Sequence, residues 1–185
     1  MRKCFGYEGK YDMWAYFIAG LMVISGAFGF GNAICLDLKN EIYNLKIQRK
    51  ILFGIEREIV YLHRTFEEIF EIVSLKIERP YDHFLMSVSE QMKMRNGEGL
   101  WELWSKNIDI LKAQVNCSKK VIDNLQQIGK VLGYEDDKAQ IGAIKILQSE
   151  MDKMIEELEI QRSQKEKLIK TLSLLSGVFL LILFI

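Results

Sequence analysis

Residues 137–185 read DKAQIGAIKILQSEMDKMIEELEIQRSQKEKLIKTLSLLSGVFLLILFI, and this stretch decides the fold. Ile144, Leu147, Met151, Met154 and Leu158 recur at three-four spacing, which predicts a helix with one apolar face for packing on partner helices. Gln161, Arg162, Gln164, Lys165, Glu166, Lys167 and Lys170 then interrupt the apolar line. From Leu172 the chain carries no charge. It contains no proline here and is rich in good helix formers, so a single continuous helix is predicted. That helix begins in water and ends in a bilayer, with 171–185 as a C-terminal transmembrane helix.

The other end of the chain has a matching segment. Residues 1–12 read as a loose polar tail, and residues 13–36 as a transmembrane helix, since within it only Ser25 and Asn32 are polar and no residue is charged. A secretory signal peptide is the competing reading, because Arg2 and Lys3 precede the apolar run. The run is longer than an ordinary signal core and lacks a clear small-x-small cleavage site, which favours a retained anchor. Ser25 with Gly29, and Ala27 with Gly31, put small residues four apart, a pattern that admits a second helix at close range.

Between the spans, 37–170 read as a helical bundle with a membrane-proximal stalk. Leu38, Ile42 and Leu45 lead to a polar break at Gln48, Arg49 and Lys50, followed by Leu52, Ile55, Ile59 and Leu62. The break predicts first turns too polar for the core. Thr65 and Glu68 have capping-box spacing ahead of Phe66, Ile69, Phe70, Val73 and Ile77. Pro80 opens a helix with Tyr81, Phe84, Leu85, Val88 and Met92, and Asn96-Gly97 supplies a turn. Trp101, Trp104, Ile108, Leu111 and Val115 line the next helix, both tryptophans reading as core. Ser118 caps another with Val121, Leu125, Ile128 and Leu132, which Gly133 closes as a left-handed cap. No period-two stretch predicts a strand. The fold class is all-α, a bundle of five to six helices between two transmembrane helices.

Composition narrows the chemistry. Of 185 residues, 25 are Lys or Arg and 25 Asp or Glu, and no basic run with interleaved aromatics offsets that balance, so nucleic acid is not an expected partner. Cys4, Cys35 and Cys117 are scattered, without a C-x-x-C pair, and read as free thiols. His63 and His83 lack metal-ligand spacing, and Ser87, Ser89 and Ser105 lack a G-x-S-x-G turn. Neither span holds an Asp, Glu, Lys, Arg or His, which argues against a membrane enzyme. No cofactor, metal or catalytic activity is expected.

Two places stand out. Leu125–Gln140 carries Gly129 within a helix, where it costs about 1 kcal/mol against Ala, Gly133 a turn later, Asp136 placed to cap the terminal helix, and Gln140 on the seam of Ile144 and Leu147. A glycine and an amide so placed predict close backbone approach and a buried hydrogen bond. The second place is Glu67, Glu68 and Glu71, an acidic helix face that suits either solvent or a basic partner.

The order Leu125, Gly129, Leu132, Gly133, Asp136, Gln140, followed by a long charged helix and LSLLSGVFLLILFI, resembles the stage III sporulation protein AB family of endospore-forming bacteria. Leu52–Tyr61, with Glu58, Ile59 and Tyr61, resembles the family's first cytoplasmic helix. The chain departs from the family at Thr65-Phe66-Glu67, where Thr-Pro-Leu is common, and in a longer opening tail. The family is similar to the cytoplasmic domain of the type II secretion system F protein. The resemblance implies a non-enzymatic platform subunit of the channel complex joining mother cell and forespore. Its implied partners are a cytoplasmic secretion-type ATPase, other membrane subunits of the channel, and membrane lipid, and self-association into a homo-oligomer stays open. Arg162, Lys165, Lys167 and Lys170, with Lys39, Lys46, Arg49 and Lys50, place the bundle on the cytoplasmic side by the positive-inside rule, and the resemblance implies that the membrane is the mother cell's. A membrane-anchored signalling or adaptor protein is the alternative, weakened by having little chain outside with which to sense.

Overall fold

The computed structural model describes residues 8–62, 64–94, 97–115, 118–134 and 136–184. Among these the fold is all-α, with six helices and no strand: α1 (Glu8–Leu62), α2 (Phe66–Ser74), α3 (Tyr81–Lys93), α4 (Leu100–Gln114), α5 (Lys119–Leu132) and α6 (Asp137–Phe184). Helix α1 takes in residues 8–12, which the sequence reading left in the tail, because nothing after Glu8 breaks the helix. The chain divides into two compact units, Asn40–Glu159 and Met1–Lys39 with Ile160–Ile185.

In the Asn40–Glu159 unit, apolar residues one turn apart converge from all six helices. Ile51, Leu52 and Ile55 of α1 join Ile69 and Phe70 of α2, Leu85 and Val88 of α3, Ile108 of α4, Leu125 and Ile128 of α5, and Ile144 and Met151 of α6. Each such side chain removed from water contributes about 1.5–3 kcal/mol before entropy is set against it. An aromatic cluster holds α2, α3 and α4 together. Phe84 meets Trp104 edge-on at 4.7 Å, Phe70 tilts against Trp104 at 5.6 Å, and Phe66 stacks on Phe70 at 5.8 Å.

Two local expectations need correction here. The polar break at Gln48–Lys50 is no break: Gln48 is 0% exposed, between buried Leu45 and Leu52, while Arg49 and Lys50 turn outward to Asp152 of α6 and Glu78. Gln48 stays in the core because both ends of its amide are satisfied. Its Nε2 donates to the Val121 carbonyl at 2.9 Å, and its Oε1 accepts from Asn124 Nδ2 at 2.8 Å. Second, Thr65 does occupy the N-cap of α2 in an extended conformation, but its side chain makes no capping bond, so the capping box is not formed.

The Met1–Lys39 and Ile160–Ile185 unit brings the two long helices together by their outer parts. A Cβ on Gly31 would stand 2.9 Å from Ile169 Cγ1, so the small residue serves the approach of the chain's own α6. Around Gly29 no such neighbour lies within 4 Å, and Ser25 turns its hydroxyl back to the Met22 carbonyl at 2.9 Å. Among the described residues no helix is long and apolar enough to cross a membrane. Most side chains of 171–185 and nearly half of those of 13–36, the two stretches read as spans, lie outside the described residues, although their backbone is helical to Phe184.

Candidate functional site

At the corner where α5 hands over to α6, Leu125, Gly129, Leu132 and Gln140 are buried, while Gly133 and Asp136 are exposed. Trp104 of α4 lies against α5 at the level of Gly129, and a Cβ there would stand 2.3 Å from its Cδ1. No other residue type leaves the indole room. The approach lets Trp104 Nε1–H reach the Leu125 carbonyl at 2.9 Å, a second donor for an oxygen inside a helix. The close backbone approach read from the sequence is this contact.

The end of α5 is then closed from α6. Gln140, 3% exposed, donates from Nε2 to the Leu132 carbonyl at 2.8 Å, satisfying one of the carbonyls that a helix C-terminus leaves without an intrahelical partner. Asp136 caps α6: its Oδ2 accepts from the Ala139 amide at 2.8 Å and its carbonyl from the Gln140 amide at 2.8 Å. Gly133 is not a left-handed cap. Its φ is −83°, its N–H bonds to Lys130 in a tightened last turn, and Gln140 supplies the closing hydrogen bond from elsewhere. At the start of α5, Ser118 Oγ accepts from the Val121 amide at 3.3 Å, as the sequence predicts.

The acidic face of α2 is partly answered within the molecule. Glu71 accepts from Lys93 Nζ of α3 at 2.5 Å, and this bond, with the nearby Glu67 and Glu90, holds the Lys93 ammonium above its ordinary range. Glu67 is half-buried, with Ser89 Oγ donating to its backbone carbonyl at 2.8 Å, so Glu68 is the member of the three turned most fully to solvent.

Several features escaped sequence reasoning. Trp101 is not core: it is 36% exposed, and Lys130 of α5 stands over its ring at 5.6 Å, a cation–π contact at the rim. Glu58 is 3% exposed and meets the guanidiniums of Arg57 at 3.0 Å and Arg64 at 3.7 Å. Arg57 adjoins Glu58 and Arg64 follows six residues on, but nothing in that spacing marks the carboxylate as buried. His83 is exposed beside Arg79, Ser87 and Asn107 in a shallow cleft of about 520 Å³ between α3 and α4. His63 and Cys117 lie outside the described residues. No group of three His, Cys, Asp or Glu able to hold a metal occurs among the described residues.

The family described as stage III sporulation protein AB matches residues 16–185. A relative of that name from Bacillus subtilis (strain 168) is 23% identical over 135 residues, 73% of this chain and 78% of its own length. A solved structure of a stage III sporulation protein AB has a TM-score of 0.61 at 18% identity, covering 68% of this chain and 98% of its own, which shows a shared fold. With the family match running from residue 16 through the helical body and both apolar stretches, the chain belongs to the stage III sporulation protein AB family, which sets it among sporulation proteins.

Proposed function

We propose that this chain is a non-enzymatic membrane subunit of the channel complex between mother cell and forespore. It is a platform on which a cytoplasmic secretion-type ATPase and other membrane subunits dock. The observation that carries this reading is the reach of the family match over 16–185, which takes in the first uncharged stretch from residue 16, the helical body and the whole of the second stretch. In this reading the stretches 13–36 and 171–185 are transmembrane anchors, and the basic residues beside them hold the bundle on the cytoplasmic side. The inward-turned corner at Gly129 and Gln140 keeps the bundle rigid, and partners meet its outward faces, Glu68 among them.

Deletion of the gene in an endospore-forming host is the test. The expected result is arrest after engulfment, restored by the full chain, together with recovery of the ATPase when the tagged full chain is purified in detergent. Normal spores from the deletion strain would refute the proposal. Normal spores with a lost environmental response would favour a signalling adaptor instead.

A further inference from the structure

Within the Met1–Lys39 and Ile160–Ile185 unit, α1 and α6 enclose a cleft of about 460 Å³, inside the range of roughly 300–1,000 Å³ typical of small-ligand sites. Its polar wall holds Lys39 from α1 and Arg162, Glu166 and Lys170 from α6. Three cations therefore share the cleft with one carboxylate. Glu166 Oε1 accepts from Arg162 Nε at 2.8 Å, which fixes the guanidinium plane, while Lys39 and Lys170 are exposed. The lining also includes the apolar Phe28, Leu36 and Ile169, of which Phe28 is 46% and Leu36 58% exposed.

The position of this cleft along the chain matters as much as its charge. Lys39 comes three residues after the uncharged stretch 13–36 closes, and Lys170 two residues before the uncharged run opens at Leu172. Gly31 faces Ile169, so Lys39 and Arg162 share the outer end of the cleft, where phosphodiesters lie, while Lys170 stands about two turns nearer the acyl chains, beside Phe28, from where a lysine side chain can reach back to the headgroup. We infer that this cleft is a binding site for the headgroup of an anionic phospholipid, with Lys39, Lys170 and Arg162 on the phosphodiester and Phe28 and Leu36 against the first methylenes. A zwitterionic headgroup would bring its own ammonium among the three cations, so the site selects net negative lipid. This inference rests on the membrane reading above.

The test uses the full chain purified in detergent, offered equal amounts of phosphatidylglycerol and phosphatidylcholine, with retained lipid read by native mass spectrometry. Phosphatidylglycerol is expected to be retained preferentially. The Lys39→Gln/Lys170→Gln variant should lower its retention about tenfold or more, and Glu166→Gln should raise it, a gain that loss of fold would not produce. Lys119→Gln/Lys120→Gln, which removes the same charge from α5, should leave retention unchanged. Equal retention of the two lipids, an equal loss in the α5 variant, or displacement by inorganic phosphate as effective as by phosphatidylglycerol would overturn the lipid site while leaving the anchors in place. A chain that stays soluble after cell breakage without detergent would remove the membrane reading itself.

Discussion

The Trp104 indole rests on the backbone of Gly129, so close that an added Cβ would stand 2.3 Å from Cδ1. Gly129→Ala gains about 1 kcal/mol of helix propensity, but it overpacks a buried ring by up to about 3 kcal/mol. The net expectation is a destabilisation of about 2 kcal/mol, measured by urea unfolding of the detergent-solubilised chain. Adding Trp104→Phe should recover part of that loss, because the smaller ring relieves the clash. Additive losses would mean that the two residues do not press on each other.

Gln140 and Gly133 should respond to alanine in opposite ways. Gln140→Ala leaves the Leu132 carbonyl buried without its donor, at a cost of about 1–3 kcal/mol. Gly133 has an ordinary negative φ, and the nearest atom to an added Cβ is a backbone oxygen at 3.5 Å, so Gly133→Ala should be neutral or stabilising by up to about 1 kcal/mol. The same unfolding curves check both. A large loss at Gly133 would restore the left-handed cap that the structure lacks.

Gln48 and Asn124 form a buried amide pair with unequal dependence. Gln48→Leu removes the bonds to both Val121 and Asn124, whereas Asn124→Leu removes one bond and also discards Oδ1, a buried oxygen with no partner among the described residues. Gln48→Leu should therefore cost more, by about 1 kcal/mol, and the double variant should cost less than the two losses added together. Thermal unfolding of the four proteins decides it.

Glu78 should titrate below the 4.5 of a free glutamate. Its own backbone amide is the larger cause, and Lys50 Nζ at 3.1 Å the next. A carboxyl whose folded value is depressed adds stability above its unfolded value and loses it as pH falls through the folded one. The side chain is half exposed, so the stabilisation is small and the carboxyl shift in a carbon-detected NMR titration is the useful reading. Lys50→Gln should move the midpoint only part of the way back to 4.5. A full return would assign the whole effect to the lysine.

Apolar spacing made the helices legible. Ile69, Phe70 and Val73, or Val121, Leu125, Ile128 and Leu132, are buried where three-four repetition puts them. Gly129 and Gln140 were legible for a different reason: each is unfavourable where it stands unless a neighbour requires it. Gln48 obeys the same logic, since Leu45, Gln48, Leu52 and Ile55 lie on one seam, but the charges of Arg49 and Lys50 masked it as part of a solvated break. Trp101 misled because a large ring at the edge of an apolar stripe can rest under a lysine without entering the core. Glu58 and its two arginines carry no such signal, because side-chain direction, not spacing, decides which of the three charges is buried.

The account turns on a helical body held at the cytoplasmic face of a membrane by both ends of the chain, and the native thiols test it most directly. In intact cells, a maleimide unable to cross the membrane should leave Cys117 unlabelled and reach Cys4, with Cys117 becoming reactive once the membrane is permeabilised. Labelling of Cys117 in intact cells, with Cys4 protected, would contradict that placement and the docking function built on it.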